Sequence, residues 1–450
     1  MCQLIQKYNV AGPRYTSYPT VPYWNIKDFS GLKWECSVIK SFQESEAEGI
    51  SLYVHLPFCS SLCTFCGCHK RITNRHEVEV PYIKSVLKEW TMYRDLLGKR
   101  PKIKQLHLGG GTPTFFSVEN LQLLINGIFR IADRANDYEF SFEGHPNSTT
   151  KEQLQALYDL GFRRVSYGVQ DYNLTVQMAI NRIQPFINVR QASQWAREIG
   201  YTSLGHDIIF GLPHQTKEHV EDTILKTQDL QPDRIAFYSY AHTPWLKGNG
   251  QRGYKESDLP TGEIKRQQYE LGKAILLNNG YFEIGMDHFS LPTDSLYKAL
   301  ESGSLHRNFM GYTNTATQLL IGLGASSIGD SWFGFAQNVK GIDEYQHLVD
   351  NDIIPIFRGH ILTDEDQIIR KHILNLMCRF KTYWSPTEDE FFANRLKDLK
   401  EMVYDGLVEV LDRQLRVTEK GRPFVRNVCM AFDLHLQRKA PETRLFSMTV

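Results

Sequence analysis

Short apolar runs alternate with amphipathic stretches along the first three quarters of the chain. Apolar runs that are bounded by polar or turn residues are typical of buried strands, whereas apolar residues spaced three to four apart predict helices. The predicted strands are Ile50–Leu56, Ile103–Leu108, Tyr138–Glu143, Arg164–Gly168, Gly205–Phe210, Arg234–Ser239 and Phe282–Met286. The predicted helices between them are Val80–Leu97, Glu119–Ile131, Lys151–Leu160, Val189–Ile199, Lys217–Leu230 and Ile264–Asn279.

This alternation predicts an α/β fold. Strands and helices that follow one another through short connections favour parallel strands with right-handed crossovers. About six such units predict a partial (β/α)6 barrel with its extension over residues 49–361, preceded by an N-terminal arm over residues 1–48. In such barrels the chemistry lies at the C-terminal ends of the strands.

The pattern changes near Leu362. Thr363 is followed by three acidic residues and then by apolar residues at helical spacing, which is typical of a helix start. A strand pair is predicted at Gly406–Val410 and Leu415–Thr418. We therefore expect a smaller, mostly helical domain over residues 362–450 that caps the barrel. A winged-helix DNA-binding domain is the alternative, but the region has no dominant basic face.

Composition narrows the class of protein. Among 450 residues the formal net charge is zero, which argues against nonspecific nucleic-acid binding. A hydrophobic fraction of 42% and a charged fraction of 23% are typical of globular proteins. No apolar run has the length of a membrane span, and the first residues lack the apolar segment of a signal peptide. We expect a monomer in the cytoplasm.

Four cysteines lie within ten residues: Cys59, Cys63, Cys66 and Cys68. The first three have the spacing C-x3-C-x2-C. A [4Fe–4S] cluster normally takes four thiolates, so three cysteines leave one iron open to a small chelating ligand. Structural zinc is the alternative, with Cys68 or His69 as a fourth ligand, but no second pair follows at the usual distance. A disulfide framework would need an oxidising compartment, which nothing in the sequence indicates.

A glycine loop, Gly109-Gly-Gly-Thr-Pro113, follows the second predicted strand. Consecutive glycines let the backbone approach a ligand closely and direct N–H groups at an anion. The loop matches neither of the common phosphate-binding glycine motifs, and alone it indicates only a tight turn. Its place one strand after the cysteines favours ligand binding.

The cysteine spacing and the glycine loop together resemble those of the radical S-adenosylmethionine (SAM) enzymes. Longer motifs, ordered along the whole chain, are similar to those of the oxygen-independent coproporphyrinogen III oxidase family, also called coproporphyrinogen dehydrogenases. These motifs are Gly12–Pro19, Tyr53–Cys68, Tyr167–Asp171, Asn181–Arg182, Asp207–Pro213, Tyr240–His242, Gly285–Phe289, His306–Phe309 and Arg426–Phe432.

The resemblance implies a radical SAM barrel, a [4Fe–4S] cluster and two SAM molecules. In that family an electron from the cluster splits SAM and yields a 5′-deoxyadenosyl radical, which takes a hydrogen from a propionate. Loss of CO2 and one electron leaves a vinyl group. Two rounds convert coproporphyrinogen III to protoporphyrinogen IX in haem biosynthesis without oxygen. A flavodoxin- or ferredoxin-type protein is the implied electron donor.

The resemblance also implies roles for individual residues. Cys59, Cys63 and Cys66 would hold the iron, and Cys68 matches a cysteine that is not a ligand. Tyr53 and Glu143 would be catalytic. The SAM on the cluster would contact Tyr53, Gly110, Glu143, Ala241 and Ile328, and the neighbouring SAM would contact Phe65, Gly111, Thr112, Gln170, Arg182 and Asp207. Apart from the resemblance, substrate carboxylates need cations, and Arg14 and Arg307 are our candidates for binding them.

Two positions depart from the family pattern. Met310 stands where the family commonly has glutamine, and His145 stands where it commonly has aspartate. Both changes concern the expected surroundings of the second SAM. The alternatives are therefore another radical SAM reaction on a tetrapyrrole, such as methyl transfer or haem degradation, or a haem-carrier protein with the same fold.

Overall fold

The computed structural model describes residues 2–245, 250–439 and 445–449. The strands are β1 Ile50–Leu56, β2 Phe58–Cys59, β3 Arg71–Ile72, β4 Lys102–Gly110, β5 Asp133–Gly144, β6 Arg164–Gln170, β7 Ser203–Phe210, β8 Arg234–Ser239, β9 Phe282–Gly285, β10 His288–Ser290, β11 His306–Asn308, β12 Gly311–Thr313, β13 Leu320–Leu323, β14 Ile328–Asp330, β15 Gly334–Asn338, β16 Ile356–Ile361, β17 Lys381–Tyr383, β18 Val408–Leu411 and β19 Gln414–Val417.

The α-helices cover the sheets and form most of the C-terminal region. They are α1 Cys2–Tyr8, α2 Gly31–Ser45, α3 Glu79–Leu97, α4 Val118–Arg130, α5 Lys151–Asp159, α6 Leu174–Ala179, α7 Phe186–Ile199, α8 Lys217–Gln228, α9 Gly262–Asn278, α10 Ser295–Ser302, α11 Ile342–Asp350, α12 Asp364–Arg379, α13 Asp389–Asp398, α14 Lys400–Tyr404, α15 Val425–Met430 and α16 Leu434–Arg438. In the described part of the chain, no helix has both the length and the apolar character that crossing a membrane requires.

The six predicted units form the centre of one large sheet. Strands β1, β4, β5, β6, β7 and β8 lie side by side in that order, and each adjacent pair is parallel. All seven residues of β1 are buried, as a strand covered on both faces requires. The predicted α/β fold with a partial (β/α)6 barrel is therefore confirmed.

Both edges of this sheet extend beyond the six units. The predicted strand Phe282–Met286 is observed as β9, but it pairs with β10 in an antiparallel hairpin instead of continuing the parallel series. On the other side β13 pairs in parallel with β1, and β14, β15 and β16 follow it in antiparallel order. The predicted strand at Phe282–Met286 is therefore confirmed, but it is separated from β8 by β10, which is antiparallel to both.

The C-terminal region begins with the predicted helix start. Thr363 is the N-cap of α12, and its hydroxyl accepts a hydrogen bond from the Asp366 backbone N–H at 3.1 Å. The predicted strand pair is present as β18 and β19, and β17 adds a third strand. The apolar core of this region includes four residues from the start of the chain: Ile5, Tyr8, Tyr15 and Tyr18.

Helix α2, in contrast, packs on the barrel. Trp34 is 1% exposed within the main core cluster, and its indole N–H donates to the Tyr93 hydroxyl at 3.0 Å. The segment before β1 therefore contacts both the C-terminal region and the barrel. The domain boundaries at residues 48 and 361 stay predictions.

We expect Trp34→Ala to lower the free energy of unfolding by about 3–5 kcal/mol, because it empties a large core site. Leu32→Ala, on the same helix, is the matched control: Leu32 is 69% exposed, so its loss should change stability by less than about 0.5 kcal/mol. Anaerobic denaturant unfolding measures both. Equal stability of the two variants would contradict this account of α2.

Candidate active site

The cysteine loop begins where β1 ends. Cys59, Cys63 and Cys66 line one cleft of about 860 Å³, and the described cysteines form no disulfide. The Cys59 thiol lies 3.3 Å from the Thr112 hydroxyl, and the Cys63 sulfur accepts from Arg182 Nη1 at 3.6 Å. Three thiols converge at the C-terminal end of the first barrel strand.

Cys68 is placed differently from the other three. It is exposed and absent from the lining of the cysteine cleft, although its thiol lies within hydrogen-bonding reach of the Cys66 thiol. The loop between Cys66 and Cys68 is held by Lys70, whose ammonium group donates to both of their carbonyl oxygens at 3.1 Å.

The glycine loop packs directly against the start of the cysteine loop. The Gly111 N–H donates to the Leu56 carbonyl at 2.9 Å, and the Thr112 N–H donates to the Phe58 carbonyl at 3.0 Å. A Cβ on Gly111 would lie 2.7–2.9 Å from backbone atoms of residues 56–58, which cannot move aside independently. Gly110 has φ of +111°, a conformation that favours glycine. Both glycines are therefore required by the backbone.

Tyr53 is oriented by two histidines. The carbonyl of His69 lies 3.0 Å from Nε2 of His55, so that nitrogen carries the proton, and Nδ1 accepts from the Tyr53 hydroxyl at 3.0 Å. Burial lowers the pKa of His55 to about 4, which keeps the ring neutral at physiological pH. The Tyr53 ring stacks on His107 and meets the edge of Phe309 at 4.9 Å between centroids.

Glu143 lies at the end of β5, close to the glycine loop. Its carboxylate accepts from the Gly110 N–H at 3.3 Å and lies 3.6 Å from His107 Nε2. Desolvation raises its pKa, but the hydrogen bonds from His107 and Gly110 outweigh this, so the pKa is lowered overall. Since 48% of the side chain is accessible, an ionised carboxylate faces the site.

Arg182 and Gln170 meet above Gly168. Arg182 Nη2 donates to the Gly168 carbonyl at 2.6 Å, while its buried Nε has no partner. A Cβ on Gly168 would lie 2.6 Å from the Gln170 amide nitrogen and 2.9 Å from Arg182 Nη2. This places Gln170 and Arg182 together, and Arg182 also reaches Cys63.

Asp207 lies on β7, beside β6. It accepts a hydrogen bond from the Ser166 hydroxyl at 3.1 Å. Burial, followed by the negative charge of Glu143, raises the pKa of Asp207 to about 7. Both carboxylates line an inner cavity of about 700 Å³ within the barrel.

Backbone contacts place the remaining predicted residues. The side-chain amide of Gln251 donates to the Ala241 carbonyl at 2.7 Å and to the Phe65 carbonyl at 3.2 Å, which brings these two residues together. Gly322 of β13 pairs with Tyr53 of β1. The Ile328 backbone packs closely on Gly322, since its carbonyl oxygen would lie 2.5 Å from a Cβ added there. Most of the predicted residues line one of the two cavities: Cys59, Cys63, Phe65, Cys66, Gly111, Thr112 and Arg182 line the cysteine cleft, and Glu143 and Asp207 line the inner cavity.

The two positions that depart from the family pattern also lie here. His145 lines the cysteine cleft, and burial together with Arg182 lowers its pKa to about 3. Met310 lines the inner cavity, and its N–H donates to Asn308 Oδ1 at 2.9 Å. Sequence reasoning missed His55 and His107, although His55 lies two residues after Tyr53 in the same strand and His107 lies two residues before the glycine loop.

The donor set fits an iron–sulfur cluster with an anionic ligand. Three unpaired thiols on one cleft match the three-cysteine ligand set, and Arg182 beside them leaves a buried N–H unused. An arginine fork matches a carboxylate, such as that of an amino-acid ligand.

We expect Gly111→Ala to abolish most iron binding after anaerobic reconstitution, because its Cβ would push the glycine loop away from the cysteine loop. Gly67→Ala is the matched control, since a Cβ there meets nothing within 4 Å. Iron per chain measures the effect. Normal iron content in Gly111→Ala would show that the two loops need not touch.

Known proteins resemble this chain over its whole length. A model of the radical SAM superfamily matches residues 53–226. An oxygen-independent coproporphyrinogen III oxidase from Synechocystis sp. is 38% identical over 459 residues, covering 100% of this chain and 97% of that protein. The protein of the same name from Escherichia coli is 39% identical, covering 97% of this chain and 96% of that protein.

A solved structure of a protein with the same function name has the same fold as this chain. Coproporphyrinogen III oxidase from Escherichia coli, described as a radical SAM enzyme, superimposes with a TM-score of 0.90 at 37% identity, covering 97% of this chain and 99% of that chain. The match includes the barrel, its extension and the C-terminal region. This chain therefore belongs to the oxygen-independent coproporphyrinogen III oxidase family of the radical SAM superfamily.

Proposed function

We propose that this protein converts coproporphyrinogen III to protoporphyrinogen IX without oxygen, as a step of haem biosynthesis. The observation that carries the proposal is the convergence of three thiols and the glycine loop beside the inner cavity, in a chain related over its full length to enzymes named for this activity. Each of two propionates becomes a vinyl group and loses CO2, one hydrogen atom and one electron.

The iron would be held by Cys59, Cys63 and Cys66. When bound, the cluster and SAM supply one-electron chemistry that removes a hydrogen atom from an unactivated carbon. Arg182 supports this assignment, because a cation 3.6 Å from the Cys63 sulfur stabilises thiolate charge. Cys68, exposed and outside the cleft, would not be a ligand.

The SAM on the cluster would be bound by the residues around Tyr53. The Glu143 carboxylate, kept ionised by His107 and Gly110, would accept from its ammonium group. Tyr53, fixed by His55 and Phe309, would exclude water from the reacting carbon. The remaining contacts would come from Gly110 and from the backbone groups of Ala241 and Ile328.

A second SAM would lie beside the first. Arg182 and Gln170 converge above Gly168, and Arg182 would pair with the carboxylate of this molecule. Asp207 would accept from ribose hydroxyls. Phe65, Gly111 and Thr112 would complete the site, where the missing side chain of Gly111 permits close approach.

The C-terminal region, residues 362–450, would close the barrel over the substrate, together with the N-terminal arm of residues 1–48. The Tyr15 and Tyr18 side chains in the core of the C-terminal region support a joint role for the two segments. A monomer in the cytoplasm, reduced by a flavodoxin- or ferredoxin-type protein and without a nucleic-acid partner, completes the proposal. The unpaired thiols fit such a reducing compartment.

Anaerobic turnover tests this function. The reconstituted protein is incubated with coproporphyrinogen III, SAM and a reductant, and the porphyrins are analysed by mass. We expect a product that is lighter by two formic-acid equivalents. A methylated product would favour a methyl transferase, and haem binding without SAM cleavage would favour a haem carrier; either result would contradict the proposal.

We expect alanine at Cys59, Cys63 or Cys66 to remove most iron and all SAM cleavage, because a cluster cannot be held by two thiolates. Cys68→Ala is the control and should keep nearly normal iron content. Iron analysis and 5′-deoxyadenosine release measure these outcomes. One zinc and no iron in the reconstituted wild-type protein would contradict the cluster assignment.

We expect SAM affinity to rise with pH through about 7, because the pKa of Asp207 is raised to about 7 and only the ionised carboxylate accepts from two hydroxyls. Asp207→Asn should remove this rise and weaken one SAM site by about tenfold at pH 8. Asp222→Asn, at an exposed ion pair with Lys226, is the control. Equilibrium dialysis with labelled SAM measures affinity; an identical rise in Asp207→Asn would exclude this role.

A further inference from the structure

Arg307 is a buried cation without a matching anion. It is 5% exposed, and neither Nε nor Nη1 of its guanidinium has a hydrogen-bond partner. Nη2 donates to the Arg14 carbonyl at 3.4 Å, and no carboxylate among the described residues lies within 4 Å of the group. A buried charge is stable only when it is paired, so the site is built for an acceptor that the chain does not supply.

The nearby carboxylates already have partners. Asp287 accepts from His288 Nδ1 at 2.7 Å and pairs with Arg14 at 3.4 Å. Asp330 pairs with Arg370 at 2.5 Å.

A further buried arginine, Arg426, adds positive charge to the same neighbourhood. It donates to three backbone carbonyls, those of Gly12, Pro13 and Met448, instead of to an acid. Burial, followed by the positive charge of Arg14, lowers the pKa of Arg426 to about 9. The region where the N-terminal segment meets the barrel therefore carries an excess of cations.

Arg307 stands at the boundary of the inner cavity. It is paired across β11 and β12 with Tyr312, and its guanidinium lies 4.5 Å from the centre of the Tyr312 ring, which lines that cavity. Phe309, two residues further on, contacts the Tyr53 ring. Arg307 thus lies against one wall of the inner cavity, and the segment that carries it also carries Phe309, which packs on Tyr53.

The space beside Arg307 is small. A cavity of about 270 Å³ is lined by Arg307, by residues 15–18 of the N-terminal segment and by α12. This space is too small for a macrocycle, so a tetrapyrrole would reach Arg307 only through one of its side chains.

We propose that Arg307 binds the carboxylate of one substrate propionate, and that this contact sets which pyrrole ring faces the Tyr53 region. The inference rests on the proposed function. Two of the four propionates remain unchanged in the product. An ion pair with arginine stabilises a carboxylate against loss as CO2, so it suits one of these unchanged propionates and not a reacting one. Arg307 is therefore a positioning residue that determines substrate orientation.

Porphyrin binding by the full-length reconstituted protein tests this role. The probes are coproporphyrin III, the stable oxidised form of the substrate, and its tetramethyl ester, which has no charged carboxylate. We expect Arg307→Gln to weaken binding of the acid by about tenfold or more and to leave binding of the ester unchanged. Iron content and SAM affinity should stay at the wild-type level. Unchanged SAM affinity would show that Arg307 binds a carboxylate of the substrate and not the carboxylate of SAM.

Two further variants control the experiment. Arg358→Gln removes a half-buried arginine that donates to Gln337 and should bind both porphyrins normally. Arg307→Lys keeps the charge but loses the planar fork, so it should weaken acid binding by about fivefold even if Arg307→Gln fails to fold.

Three results would overturn the assignment. They are acid binding within twofold of wild type in Arg307→Gln, equal weakening of acid and ester, and wild-type acid binding in Arg307→Lys. None of these three results would contradict the proposed function, provided that the wild-type protein decarboxylates coproporphyrinogen III. Absence of that turnover in the wild-type protein would instead contradict the proposed function and, with it, this role of Arg307.

Discussion

The contact between the glycine loop and the cysteine loop is the constraint on which the rest of the site depends. Two backbone hydrogen bonds, from the N–H groups of Gly111 and Thr112, hold the turn after β4 against the first residues after β1. No side chain fits between them at position 111. Because parallel strands end at the same edge, this contact holds the thiols beside the glycine loop, while Glu143, at the end of β5, lines the inner cavity.

Buried polar groups near the cysteine cleft and the inner cavity fix one another's orientation and protonation state. The His69 carbonyl fixes the tautomer of His55, which in turn orients Tyr53. Glu143 stays ionised because His107 and Gly110 donate to it, whereas Asp207 lacks comparable donors and has a raised pKa. Two carboxylates in one cavity thus differ in charge, which suits different tasks.

The segments outside the barrel contribute a different part of the site. The start of the chain enters the core of the C-terminal region, and between them and the barrel lies the cation-rich region with Arg307. This construction brings positive charge beside Tyr312, which lines the inner cavity. A flexible substrate with four carboxylates needs such an anchoring cation, since reaction at one propionate requires that the rest of the molecule be held in place.

The sequence alone determined the barrel, and it predicts the cysteine ligand set. Strong apolar periodicity gave the six units, and the bounds predicted for β1 and β8 agree with those observed, because buried parallel strands require continuous apolar runs. The antiparallel extension was not predicted, since its short strands, such as β14 and β15, contain glycine and polar residues whose burial depends on distant partners. Only the tertiary structure decided that His55 and His107 orient the site and that no carboxylate in the described part of the chain pairs with Arg307. A local pattern carries no information about which charges meet from opposite ends of the chain.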